Sequence, residues 1–311
     1  SLFNNRLRMT ADYYRKKTTD LLNNVEMPRS SGYTTALRNI GSIRNSGFEL
    51  QLDGRIIDRA VKWDLGVNFS LNRSKVLVLS EDKDIFGGEL DNTILKDQLN
   101  LMRVGEPMYV FYGYVEDGYD ENGHIVYKNM DDDPAITAAD KTIIGDPNPD
   151  FLVNLTTAVS YKGFTLSAFF QSSIGNDIYS LSMAAQAYDY GYNGNTLREV
   201  YYNHWSPENP TAKYPNLDQT SYKMSDRFVY DGSFVRLKNL ELAYDVPCAR
   251  SKFIKRARVY VSAQNLFTIT SYPFWDPDIN ANGGGSSMIQ GVDSYCYPSA
   301  RTYTIGCRLT F

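Results

Sequence analysis

The sequence is poor in the residues on which catalysis most often depends. Only two of its 311 residues are histidine, His124 and His204. Three are cysteine, Cys248, Cys296 and Cys307, without metal-type spacing and with one left over if any two pair. It has no Gly-x-Ser-x-Gly elbow and no Cys-x-x-Cys pair. A basic surplus is lacking too: 32 Lys and Arg stand against 36 Asp and Glu, giving a net charge of −4, and neither sign is clustered. Nothing here would neutralise a nucleic-acid backbone, so nucleic acid is not an expected partner. No run approaches the roughly 18 consecutive apolar residues of a membrane helix. A membrane strand passes that test unseen, because it needs only about 9–11 residues of alternating polarity.

What the chain does have is aromatic residues, 24 Tyr, 15 Phe and 3 Trp, at a mean hydropathy of only −0.40. That mixture suits a protein wetted on one side and apolar on the other, and the periodicity says how. Val61, Trp63, Leu65, Val67, Phe69 and Leu71 fall on one face of a strand, with Lys62, Asp64, Gly66, Asn68, Ser70 and Asn72 on the other. Phe48, Leu50 and Leu52 alternate with Glu49, Gln51 and Asp53 just before, joined through 54–60 as a hairpin. A second hairpin turns at Lys162-Gly163 between Phe151–Tyr161 and Phe164–Ser172. Further strands are expected over Leu7–Tyr14, Tyr109–Val115, Phe234–Val246, Arg258–Phe267 and Arg301–Phe311, nine in all. The apolar phase slips near Lys238-Asn239, which predicts a β-bulge.

Short connections, at about 54–60, 162–163 and 247–257, alternate with long ones, at about 16–43, 74–107, 116–150, 173–232 and 268–300. Helix is expected within the fourth long loop, over Ile178–Tyr188 and Leu197–Tyr202. Short turns at one rim and long loops at the other are the arrangement of an outer-membrane barrel, with the long loops outside the cell. The fold class expected is therefore all-β, a transmembrane antiparallel barrel. A passive porin-like channel and a soluble carbohydrate-binding β-sandwich are the alternatives, the latter requiring its apolar faces to meet between two sheets. No signal peptide precedes Ser1 and strand-like sequence begins at Leu7, so the chain is expected to be the C-terminal part of a longer polypeptide.

Three groups of residues are candidate sites. The final strand alternates strictly and ends on Phe311; Thr304, Gly306, Leu309 and Phe311 form the pattern of an assembly signal, an edge strand with an aromatic terminus that can be captured by strand pairing. Asn129, Asp131, Asp133 and Asp140 stand at positions 1, 3, 5 and 12 of a calcium loop, with Ile136 at position 8, although Pro134 replaces the usual Gly at position 6. They are candidate ligands for a structural Ca²⁺. Tyr201 and Trp205 in one loop, and Tyr272, Phe274 and Trp275 in another, offer flat faces for stacking on sugars or clasping peptides. The competing roles for these aromatics are an interfacial girdle or packing.

Several phrases resemble the SusC/RagA family of TonB-dependent outer-membrane transporters of Bacteroidetes. They are Asn39-Ile40-Gly41-Ser42-Ile43-Arg44-Asn45-Ser46-Gly47-Phe48-Glu49-Leu50, then Val104-Gly105-Glu106-Pro107 running into Phe111-Tyr112-Gly113-Tyr114, and Ile144-Gly145-Asp146-Pro147-Asn148-Pro149-Asp150-Phe151. Trp205-Ser206-Pro207-Glu208-Asn209-Pro210 with Tyr214-Pro215, Val235-Arg236-Leu237-Lys238-Asn239-Leu240, Gln264-Asn265-Leu266-Phe267 and Tyr297-Pro298-Ser299-Ala300-Arg301-Thr302-Tyr303 follow in family order. The resemblance implies a barrel of roughly twenty-two strands, of which residues 1–311 would be the C-terminal portion, with an N-terminal plug and a TonB-contacting segment outside this chain. It also implies a non-enzymatic importer of glycans or oligopeptides in the outer membrane of a Gram-negative bacterium. Such an importer needs no cofactor and works with TonB and a SusD-like surface lipoprotein over the long loops.

Overall fold

The computed structural model describes residues 3, 6–26, 32, 35–80, 83–91, 95–188, 195–248, 253–279 and 289–311. Its frame is one antiparallel sheet of eight strands that pair in chain order. They are β1 (Leu7–Glu26), β2 (Thr35–Asp58), β3 (Val61–Leu79), β4 (Phe151–Tyr161), β5 (Phe164–Ile174), β6 (Phe234–Val246), β7 (Arg256–Thr270) and β8 (Thr302–Thr310). Each strand hydrogen-bonds to its sequence neighbour, and among the described residues β1 pairs only with β2 and β8 only with β7.

The alternation read from the sequence sorts onto the two faces. Large apolar side chains on one face stay uncovered: Leu166 is 47% exposed, Leu242 44%, Val261 48% and Ile305 84%. No second sheet closes over them among the described residues, which overturns the sandwich. A surface this greasy needs hydrocarbon, not water, against it. Near the short turns this face carries Trp63, Tyr161, Phe164 and Tyr244, the last two in tilted contact with ring centroids 4.5 Å apart, as an interfacial aromatic belt would. The Trp63 indole donates to Thr157 Oγ1 at 2.9 Å across the strand pair, which explains a threonine in an otherwise apolar row, since an unpaired N–H in lipid is costly.

Several expectations need correction. Residues 16–26 and 35–43 are not loop but the extension of β1 and β2, paired as far as Glu26 with Thr35. At about 3.3 Å per residue β2 reaches far beyond a bilayer that takes about 9–11 residues to cross. Beyond the hydrocarbon neither face meets acyl chains, and the side chains of 16–22 are exposed or partly exposed, so the ladder continues while the apolar alternation stops. The turn expected over 54–60 tightens to Arg59-Ala60, because β2 continues to Asp58. The turn at 162–163 stands as expected, whereas that at 247–257 includes 249–252, outside the described residues. The expected strand Tyr109–Val115 shortens to Val110–Gly113 and belongs to a separate four-stranded sheet with Ile85–Phe86, Asn100–Met102 and Thr142–Gly145. The bulge is found: the registers of both neighbours of β6 slip between Leu237 and Asn239.

Two glycines of the first family-like phrase have separate physical reasons. Gly41 has φ +135°, and any Cβ there would overlap the Val78 carbonyl of the neighbouring strand. Gly47 leaves room for the Tyr14 ring, which lies flat over it on the polar face and donates to Asn72 Oδ1 at 3.1 Å. One tyrosine on β1 thereby reaches across β2 to β3. Tyr260 lies over Gly306 in the same way between β7 and β8.

The long connections pack into a layer of their own. Besides the four-stranded sheet it contains Asp177–Ser180 between Val229–Asp231 and Val292–Asp293, paired antiparallel to the first and parallel to the second. Two short helices, Leu181–Tyr188 and Arg198–Tyr202, fall within the expected helical segments. Phe111, Tyr179, Tyr214, Phe228, Leu99 and Met224 form its core, all 2% exposed or less. Ile43 and Val76, high on the polar face of β2 and β3, join Leu79 and Met102 in a second cluster that fastens the layer to the sheet.

Candidate functional site

The polar face of the sheet meets the loop layer along the upper ends of β4 to β7, and functional groups gather there. Arg236 projects from β6 on this face and is 1% exposed. Its guanidinium is bonded to Asp276, lies 3.3 Å from Asp278, and donates to Thr268 Oγ1 at 2.9 Å and Ser299 Oγ at 3.2 Å. Asp276 also accepts from the backbone N–H groups of Asp278 and Ser299, each at 2.9 Å. Burial alone would raise the Asp276 carboxyl, but these two N–H groups and Arg236 outweigh it and hold the acid below the usual carboxylate range. Asn265, in the left-handed region at φ +51°, donates to the Ala300 carbonyl at 2.9 Å. Three phrases that carry the family resemblance, around Arg236, Asn265 and Ser299, thus converge on one latch. It ties the 271–279 loop and the approach to β8 onto the wall.

On one side of the latch lies a cavity of about 340 Å³ lined by Trp275, Asn265, Arg301 and Thr270. On the other lies a larger one of about 580 Å³, between Asn154 and Gln171 of the wall and Asn176, Asp278 and Gln290 of the loops. Both fall within the size range of small-ligand clefts.

The candidate aromatics divide. Phe274 and Trp275 stack with centroids 4.7 Å apart, and Trp275 is 57% exposed beside the smaller cavity. Tyr201 is 62% exposed, edge-on to Tyr202. Trp205 is half-buried and its indole covers Gly123, whose φ is +79°. Tyr272 is withdrawn from any ligand surface: it is 4% exposed and its hydroxyl is bonded to Asp293 at 2.6 Å and Ser180 at 2.8 Å. Burial, joined by the neighbouring Asp293 carboxylate, raises that hydroxyl far above the ordinary tyrosine range. Sequence reasoning missed Arg236, Asn154 and Asn265; the detectable sign was a lone arginine inside an apolar strand phrase.

The four candidate calcium ligands of the 129–140 loop are each hydrogen-bonded to the loop's own backbone. Asn129 Oδ1 accepts the N–H of Asp131, Asp131 Oδ1 that of Asp133, and Asp133 Oδ1 that of Ala135. Asp140 accepts the Met130 and Thr137 N–H groups, both at 2.7 Å, which hold its carboxyl below the usual range. The would-be ligands are engaged in Asx turns, and no group of three or more His, Cys, Asp or Glu among the described residues is placed to hold a metal. His124 pairs with Asp218 at 2.8 Å, and His204 contacts the Tyr201 carbonyl at 2.8 Å; the two are separate. Thr304, Gly306 and Leu309 lie on β8, with Phe311 just beyond it, 70% exposed.

The family of TonB dependent receptor-like β-barrels matches residues 1–266. The chain is similar to the TonB-dependent receptor P3 of Formosa agariphila, 33% identical over all of this chain and 33% of that protein. With the TonB-dependent receptor SusC of Bacteroides thetaiotaomicron it shares 29% identity over 99% of this chain and 30% of that one. Among solved structures, the RagAB peptide transporter superposes over 99% of this chain and 34% of its own, with a TM-score of 0.82 at 28% identity. The RagAB peptide importer in its closed-closed state gives 0.83 at 27% identity. The chain spans about a third of the length of these relatives.

Proposed function

We propose, from the premise that this chain belongs to the TonB-dependent receptor β-barrel family in its SusC/RagA line and so to the bacterial outer membrane, that it forms part of the wall and outer loops of an energy-coupled importer. The cargo is an oligopeptide or a glycan, held between the loop layer and a SusD-like surface lipoprotein. TonB drives its release inward through a plug contributed by other parts of the full-length protein. No covalent chemistry is involved. The observation that carries this reading is the single sheet with hydrocarbon-seeking side chains outside and a polar face partly roofed by packed loops. Within it, Phe274 and Trp275 are cargo-contacting residues, and Tyr201 and Trp205 belong to the outer surface of the loops. Thr304, Gly306, Leu309 and Phe311 serve assembly, because the alternating strand β8 with its aromatic end offers an edge that a templating strand can pair with during insertion.

The test is uptake of labelled oligopeptides and oligosaccharides by cells carrying the full-length gene, with and without a protonophore. Uptake of one cargo class that collapses on de-energisation is expected. Uptake indifferent to the protonophore would mean a passive channel. Co-purification of a surface lipoprotein with the tagged full-length protein checks the partner.

A further inference from the structure

We infer that the lipid-facing surface of β1 to β3, at its long-loop end, is a binding site for the phosphate headgroup of an outer-leaflet lipid. The site is independent of the cargo, because it faces away from the cavities under the loops. The registers are unbroken where Tyr13 to Lys17 pair with Phe48 to Arg44, and where Phe48 to Arg44 pair with Leu71 to Lys75. Side chains alternate between the faces. The row of Tyr13, Phe48 and Leu71 is therefore followed on the same face by Arg15, Ser46 and Arg73, and then by Lys17, Arg44 and Lys75. The apolar alternation of β3 runs from Val61 to Leu71, about the length that crosses a bilayer. It closes on an aromatic edge: Tyr13 is 74% exposed, and Phe48, Phe69 and Phe151 touch in series with ring centroids 6.4 and 5.8 Å apart. The cations above it stand at headgroup level.

Like charges directly opposite on neighbouring strands, about 4.8 Å apart, repel one another. Lys17, Arg44 and Lys75 form such a row of three, with Arg15 one row below, and none of the four is paired with a carboxylate among the described residues. Arg73 differs, its charge answered by Asp150 at 2.6 Å. An anion set among the cations would relieve the repulsion, and a phosphate accepts several charge-assisted hydrogen bonds at once. The strip is also local. On β4 to β7 the lipid-facing residues include no lysine or arginine, which is not the even scatter of cations that merely reach for water around a rim. A soluble anion would meet the same charges, but only a lipid also uses what lies below them, since its acyl chains descend onto Tyr13, Phe48 and Leu71. With the long loops outside the cell, that lipid belongs to the outer leaflet.

The test uses the full-length transporter in detergent micelles. Native mass spectrometry follows retention of lipid A, supplied with its phosphate groups or after their removal by hydrogen fluoride. Binding of the phosphorylated form is expected, weakened about tenfold by dephosphorylation and about tenfold by the double substitution Lys17→Gln, Lys75→Gln. Lys62→Gln, on the polar face near the short turns, should leave it unchanged; an equal loss there would mean an effect of overall charge and would overturn the site. The site is likewise overturned if dephosphorylated lipid A binds as well as the phosphorylated form, if the double variant stays within about twofold of wild type, or if no lipid A is retained. Displacement by inorganic phosphate at the concentration of the lipid would make this a soluble-anion site and would overturn the lipid as its occupant. Should the double variant fail to assemble, Arg44→Gln alone decides, with an expected loss of about fivefold.

Discussion

The wall and the loop layer of this protein are stabilised by opposite means. The eight-stranded wall has no interior. Its apolar side chains stand uncovered on one face, and its order comes from continuous ladders and from tyrosine clasps over Gly47 and Gly306. The loop layer has short strands, some only two residues long, and a dry core around Phe111, Tyr179 and Phe228. One polypeptide therefore folds by two solvent rules, with lipid doing for the wall what the packed interior does for the loops.

Substitutions that break one region and spare the other sharpen this contrast. The largest effects belong at the buried centres of the loops. Arg236→Ala strands Asp276 without its cation and should cost about 3–5 kcal/mol locally. Protease nicking within 271–279 should appear while the barrel still resists SDS at room temperature. Phe111→Ala, which empties a fully buried site packed edge-on against Tyr179 at 6.2 Å, should cost a similar amount, about 3–5 kcal/mol. Thermal melting followed by aromatic circular dichroism should show the loop transition move and the wall transition stay.

The wall should answer to polarity instead. Val261→Arg places a charge in hydrocarbon and should cost about 2–4 kcal/mol if it lies near the midplane, whereas Ser262→Arg, one residue on, should cost almost nothing. Refolding titrations into lipid vesicles measure both. Gly47→Ala pushes a methyl to 2.5 Å from the Tyr14 ring, and should cost about 1–3 kcal/mol together with the bond to Asn72. The smallest effect is that of mild acid. Because Asp276 is held below the ordinary carboxylate range, its contribution is complete above about pH 4 and is lost only as pH falls through the lower folded value. Loop protection should therefore be the same at pH 7 and pH 5.

The same division explains what could be read from the sequence. Wherever one face meets lipid and the other water, period two is written into the residues, as in 61–72 and 302–310, and these strands were legible along with the slip at Lys238. Where neither face meets acyl chains, as in 16–22, the pattern vanished although the ladder continued as far as Glu26 and Thr35. In the loop layer partners come from distant segments, as Tyr179 beside Val292, and no local period records them. Tyr109–Val115 reads as a wall strand because a buried strand and a lipid-facing one look alike over so few residues. Of the candidate site, Trp275 is legible as an exposed aromatic, but nothing local distinguishes Phe274, half-buried against the loop core, or Tyr272, whose burial depends on Asp293 and Ser180. The latch at Arg236 was visible only as part of a family-like phrase.

Single-cysteine labelling along β3 and β7 of the full-length protein in bilayers tests the wall most directly. Nitroxides at positions 65, 67, 259 and 261 should be relaxed by oxygen dissolved in the lipid. Those at 66, 68, 260 and 262 should respond instead to a water-soluble nickel chelate. Protection of 65, 67, 259 and 261 from both reagents would mean that their side chains meet protein, and would contradict a wall one strand thick.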